Sequence, residues 1–198
     1  MTKNDIPYGY VIDNRIREKF HQGFARSDLS VTHFIIHGTG GGNTAESNIK
    51  WMLNGGLLPN GRTREAQYKK GQALFQLIAD RDGKIIELIN PHNWVYHSST
   101  GRYDIHTIGI ELTNPDRNNG GHYTEKQYQA VACTYLWLSD IFLNMTNIQG
   151  HGAIKQEKTG KYKECPGKGF DWIKFNSILI DNGAQTKYEK KSEKIVLI

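Results

Sequence analysis

Cysteine is nearly absent from this chain: Cys133 and Cys165 are its only two. Two thiols are no disulfide framework, so a hydrophobic core has to hold the fold. A bridge between them is not expected, because Cys133 lies in a helical pattern while Pro166-Gly167 places Cys165 on a turn. No apolar run approaches the ~18 residues that a membrane span needs. The opening Met1-Thr-Lys-Asn-Asp-Ile-Pro7 has no apolar core of the kind an export signal carries, so synthesis in the cytoplasm without a signal peptide is expected. Internal repeats and a second core are also missing, so the 198 residues read as one domain. Charge is weak, at net +5. That mild basic excess suits an anionic polymer such as cell wall or nucleic acid, and equally a soluble protein with a slight imbalance.

What is present is concentrated in His151 to Gly167, H-G-A-I-K-Q-E-K-T-G-K-Y-K-E-C-P-G, which reads as a Gly/Lys-rich, loop-like segment. A histidine and a cysteine there are both good zinc ligands, the thiol once deprotonated. A third ligand has to come from elsewhere, and His37 is the best candidate. Val31-Thr-His-Phe-Ile-Ile-His37 is β-branched and apolar, then breaks into Gly38-Thr-Gly-Gly-Gly42, as a buried strand ending at a flexible loop. Two imidazoles, one thiolate and an open fourth position make a catalytic zinc site, where a structural one would be closed by four protein ligands. Taken singly, the three residues read as readily as a core histidine, a loop histidine and a buried thiol. His33 shares a strand face with His37 but lies about 13 Å back along the strand, too far to bind the same ion.

Along the chain, Arg15 to Phe24 is predicted as a short helix with Ile16, Phe20 and Phe24 on one face, within an N-terminal extension of residues 1–30 packed on the domain. Thr44 or Asn43 can cap a helix to about Leu53, ended by Gly55-Gly56. Leu57 to Gly71 reads as a long polar loop near the site. Ala73–Ala79 and Lys84–Ile89 flank Asp82-Gly83, a hairpin signal. Asn90 to Arg102 is a loop carrying Trp94, Tyr96 and His97, and Thr107–Leu112 is a second buried strand. Thr124 and Gln127 form a capping box before a helix to about Leu143. Phe170–Leu179 is a last short helix. Residues 181–198, rich in lysine, are expected to be a mobile basic tail after a catalytic domain of residues 1–180.

Glu111 sits in the apolar strand I-G-I-E-L. A buried glutamate is costly unless paired or functional, and a glutamate at a strand end can equally face water. Lys163, two residues before Cys165, can be one more solvated lysine beside Lys155, Lys158 and Lys161.

The strand F-I-I-H-G-T-G, the segment T-I-G-I-E-L and the sequence H-G…K-E-C-P-G, in this order and spacing, resemble the zinc-dependent N-acetylmuramoyl-L-alanine amidases of type 2. That family includes phage lysozyme-type amidases, cytosolic anhydromuramyl-peptide amidases and peptidoglycan-recognition proteins. The resemblance implies a single α/β domain with a central mixed sheet flanked by helices. It implies Zn2+ on His37, His151 and Cys165, Glu111 as the base, Lys163 as the stabiliser of the oxyanion, and peptidoglycan or muropeptides as substrate. His97 matches a histidine beside the family's cleft, where contact with the peptide stem and support of the loop are equally open. Trp94 and Tyr96 could pack on sugar faces, although aromatic residues are at least as often core. Phage lysozyme-type members carry Tyr-His where this chain has Phe75-Gln76, and that tyrosine takes part in catalysis. The cytosolic subgroup lacks the tyrosine and uses a Glu and Lys pair, but with aspartate at the position of Cys165. The expected function is a phage-type endolysin in wall lysis. A cytosolic recycling amidase and a non-catalytic peptidoglycan-binding module are the alternatives. A monomer is expected, with no nucleic acid and no membrane span.

Overall fold

The β-branched run leading to His37 lies at the middle of the molecule, and the other elements are arranged around it. The computed structural model describes residues 7, 9–58 and 60–198. In chain order it contains β1 (Tyr10–Ile12), α1 (Arg15–Lys19), β2 (Phe24–Ala25), β3 (His33–Gly38), α2 (Ala45–Leu53), α3 (Glu65–Tyr68), β4 (Leu77–Ala79) and β5 (Ile85–Glu87). There follow β6 (Asn93–Trp94), β7 (Thr107–Leu112), α4 (Glu125–Ile141), β8 (Asn147–Gly150), α5 (His151–Thr159), α6 (Trp172–Asp181), β9 (Thr186–Glu189) and β10 (Lys194–Leu197). One eight-stranded sheet has the order β1-β5-β4-β7-β3-β8-β10-β9, and β2 pairs with β6 apart from it.

β3 runs parallel to both β7 and β8, and β7 parallel to β4. All of β3 is buried, which is why Phe34-Ile35-Ile36 between its two histidines is a continuous apolar run rather than an alternating one. β5 lies antiparallel to β4, and β10 antiparallel to β8 and β9, so the sheet is mixed. One face packs its apolar residues with α4 and α6, the other with α1, α2 and α3. Phe34 and Ile36 belong to the first cluster, so alternation turns His33, Ile35 and His37 to the opposite face. The same parity in β7 sends Ile108, Ile110 and Leu112 to the first cluster and leaves Gly109 and Glu111 on the side of His37. The register sets Glu111 directly beside His37.

Both capped helices form as their sequences require. Thr44 caps α2 in a capping box with Ser47, and Thr124 caps α4 in one with Gln127. The Asp82-Gly83 hairpin joins β4 to β5. Among the described residues no helix is long and apolar enough to cross a membrane.

Four expectations are corrected. The stretch from His151 is helical as far as Thr159, because Ala153, Ile154, Lys155, Gln156 and Glu157 favour a helix more than the flanking glycines oppose it. Gly160 ends it in a left-handed conformation (φ 71°). The N-terminal helix stops at Lys19, and Phe24 leaves it to pair with Trp94. The loop from Leu57 to Gly71 contains α3. β1 adds to the sheet beside β5, while Tyr10 donates to Glu87 Oε2 (2.6 Å) and Arg17 pairs with Glu87 Oε1 (2.8 Å). The reading of Met1–Ile6 and Tyr8 falls outside the described residues.

The basic tail is the fourth correction. Residues beyond Asp181 form the hairpin β9–β10, and β10 docks on β8. Its lysines mask a pattern in which Ile195 enters the core, where it is fully buried. Ile195→Ala is therefore expected to lower unfolding stability by ~2–5 kcal/mol in urea titrations. A mobile tail would leave the midpoint unchanged.

Candidate active site and metal centre

Parallel strands bring their C-terminal ends to one edge of a sheet, and ligand sites favour such edges. Here the ends of β7, β3 and β8 deliver Glu111, His37 and, one residue after Gly150, His151. They meet in a cleft of about 1120 Å³, whose wall also includes Lys163, Cys165, Arg64, Arg117, Tyr96 and Phe75.

Donor atoms of His37, His151 and Cys165 all lie within 4.8 Å of one another. Their residues are 2%, 3% and 4% exposed. His151 opens α5, and the amide of Gly152 donates to the carbonyl of Cys165 (2.8 Å), tying that helix to the thiol's turn. Both ring nitrogens of His151 are buried with no hydrogen-bond partner. Orphaned polar atoms in an interior are costly and uncommon, and here they face a thiol and a second imidazole. Two imidazoles and a thiol suit a borderline-soft ion such as zinc.

Electrostatics favour neutral donors. Burial, then the neighbouring His151, His97, Lys163 and Arg117, hold His37 well below its ordinary range. Burial and Lys163 push His151 down to about 3. Burial, then Glu111, pushes the Cys165 thiol up to about 11, against the Gly38 amide, Lys163 and Arg117. The imidazoles are thus ready to ligate, and the thiol needs a cation to leave it as thiolate. Cys133 and Cys165 are both free.

Glu111 Oε1 stands 3.9 Å from His37 Nδ1, and Glu111 Oε2 has no hydrogen-bond partner. Burial raises this carboxyl to about 7, with Arg117, Lys163 and Arg64 pulling the other way. A carboxyl poised there can take up and release a proton near neutrality. Lys163 acts on the whole group, since its charge lowers His37, His151, Glu111 and Cys165 alike.

Arg117 was not among the residues singled out from the sequence. It donates to the carbonyl of Gly38, and its chain fills space that side chains at Gly38 or Gly167 would occupy: a Cβ at either would come 2.9 Å or 2.8 Å from it. It thereby bridges the residue after His37 and the turn after Cys165. Tyr123 reinforces that turn by donating to the carbonyl of Pro166 (2.6 Å). The sequence signal was a glycine shortly after two of the ligands, Gly38 after His37 and Gly167 after Cys165.

The two residues expected to meet substrate, Trp94 and His97, are placed differently from one another. Trp94 does not line the cleft. Its ring packs between Phe24 (4.9 Å) and Tyr96 (4.8 Å), and Tyr96 is the member of that cluster that reaches the wall. His97 touches the cleft with a side chain only 1% exposed and with both ring nitrogens engaged. His33 stays outside the donor group, against Thr32 and Tyr103.

Residues 27–168 match the family described as N-acetylmuramoyl-L-alanine amidase. The chain belongs to that family. Such amidases hydrolyse the bond between N-acetylmuramic acid and L-alanine of peptidoglycan. The amidase fold is shared with solved structures. That of AmpD is similar at 21% identity and TM-score 0.65, over 89% of this chain and 98% of AmpD. The endolysin amidase LysCS from Clostridium intestinale is similar at 16% and 0.64, over 89% and 99%. Human PGRP-IBETAC, solved with a glycosamyl muramyl pentapeptide, is similar at 18% and 0.56, over 86% and 94%. No curated protein matches the chain. β1 and the hairpin β9–β10 lie outside the matched span of the amidase family.

Proposed function

We propose that this amidase is a zinc hydrolase whose metal is held by His37, His151 and Cys165 and whose general base is Glu111. The observation that carries the reading is the buried His151 ring, with no protein partner for either nitrogen, beside a thiol and a second imidazole. Zinc held there would polarise the scissile carbonyl and make water acidic enough to attack near neutrality. Glu111 takes the proton from the attacking water and passes it to the leaving amine of L-alanine, a role its raised carboxyl suits. Lys163 supplies positive charge where the oxyanion develops. The same residues argue against a binding module, which needs neither base nor oxyanion partner. Arg64, Arg117 and Lys163 make the wall cationic, which favours the carboxylate-bearing stem of a muropeptide.

We place the activity in wall lysis, as in phage endolysins. The thiol in the donor set supports this, since the family resemblance associates cysteine at that position with the phage type. Phe75 in the cleft wall supports the recycling alternative, because the phage-type tyrosine is missing there. Incubation of zinc-loaded protein with purified sacculi and, separately, with soluble anhydro-muropeptide tests both points. New alanine amino groups without new reducing sugar ends are expected from both, with sacculi digested efficiently. Absence of new amines would overturn the amidase mechanism, and turnover confined to the soluble substrate would move the role to recycling.

Lys163→Ala is expected to lower kcat by ~10²–10³ with little change in KM, because the charge it meets exists only near the transition state. Lys155→Ala, Lys158→Ala and Lys161→Ala should alter at most the salt dependence of wall binding. Equal small losses in all four, on a soluble muropeptide, would make Lys163 one more solvated charge.

A further inference from the structure

His97 has a buried side chain that this mechanism leaves without a task. Its Nδ1 lies 2.9 Å from His37 Nε2, and its Nε2 lies 2.7 Å from Thr107 Oγ1. Thr107 Oγ1 is also 3.0 Å from the backbone carbonyl of Asp104. A carbonyl oxygen only accepts, and a threonine hydroxyl has one proton to give. That proton is committed to Asp104, so Thr107 Oγ1 must accept from His97 Nε2–H. Burial favours the neutral ring, which has a single N–H. Its Nδ1 is then an acceptor, and among the described residues the donor it meets is His37 Nε2–H. The direction of the whole chain follows from the carbonyl at its far end.

The consequence lies at His37. With its proton on Nε2, its lone pair is on Nδ1, the nitrogen that faces Glu111 and the cleft. We propose that His97 is a positioning residue: through Thr107 and the Asp104 carbonyl it fixes His37 as the tautomer whose Nδ1 is free to bind the metal. The proposal rests on the zinc reading above and adds to it the atom through which His37 ligates.

Two features of the sequence hold the relay in place. Gly109, beside Thr107 on β7, lies under the His97 ring. A Cβ there would come 2.7 Å from Nδ1 and 2.9 Å from Cγ and Cε1, so no other residue leaves room for the ring. The loop after His97 is anchored by the buried Asp104, which accepts from the amides of His97 (3.3 Å) and Ser98 (3.2 Å). The ring therefore has a floor and a fixed backbone, as expected of an outer partner that orients a metal-ligating histidine.

Nitrogen-15 NMR of the metal-free wild-type protein reads the tautomer without zinc or turnover. His37 should appear with its proton on Nε2. Zinc affinity, measured by chelator competition, should fall ~10–100-fold in His97→Phe, which keeps the ring and removes both nitrogens. His97→Asn places an amide oxygen near the position of Nδ1 and should recover most of the affinity. A wild-type His37 protonated on Nδ1, or a folded His97→Phe protein that binds zinc as tightly as wild type, overturns the proposal. Failure of the wild-type protein to take up zinc would overturn the reading beneath it, and the metal-free NMR result tells the two failures apart.

Discussion

A Cys165→Ala protein is expected to lose bound zinc and turnover together, while wild-type protein stripped by a chelator regains activity when zinc is returned. Stability gives a second readout. Zinc at a thousandfold excess over its Kd should stabilise the wild-type fold by ~4 kcal/mol, and Cys165→Ala should show little of that increment. The large response follows from the state of the donors. Both imidazoles are held neutral by burial, and the thiol is pushed up to about 11, so the metal-free pocket carries buried polar groups that satisfy one another poorly. Losing one of three donors removes the ion and leaves that cost in place. A Cys165→Ala protein that keeps one tightly bound zinc and normal turnover would refute the donor assignment.

Glu111→Gln should lower turnover by ~10²–10⁴ with zinc still bound. The substitution keeps the shape and the neighbour contact with His37 and removes the one carboxylate in the cleft wall. The structure also closes the escape route. His97 is the nearest alternative base by residue type, but its nitrogens are taken by His37 and Thr107 and its side chain is 1% exposed. Near-normal turnover in a zinc-loaded Glu111→Gln protein would mean that no protein base is needed and that Glu111 serves structure alone.

The candidate site was largely legible in the sequence because it rests on short-range patterns. An apolar run broken by glycines marks a strand end, and His37 stands there. A glutamate in the next such strand acquires the same parity as His37 once the two strands pair in register, as they do at His37 and Glu111. Cys165 was marked by its Pro-Gly turn. What escaped depends on how distant segments pack. Arg117 matters because the stretch after β7 folds across Gly38 and Gly167, and nothing near Arg117 in the sequence announces that. Trp94 and His97 sit on one loop, and only the pairing of β6 with Phe24 decides that Trp94 turns back into an aromatic cluster. The hairpin β9–β10 was hidden by composition, since lysines dominate the stretch that carries the buried Ile195.

The central position of β3 has a kinetic consequence. His37 shares a site with His151 only after β3 has paired with β8, and with Glu111 only after it has paired with β7. Both pairings are parallel and join segments far apart in the chain, the kind of contact that forms slowly. A half-folded chain therefore offers an ion single, unassembled donors rather than a pocket. An ion that binds only the finished arrangement leaves the rate of assembly untouched and slows its undoing. In this fold the metal would act as a latch set after closure, prolonging the life of the native state rather than guiding the chain to it.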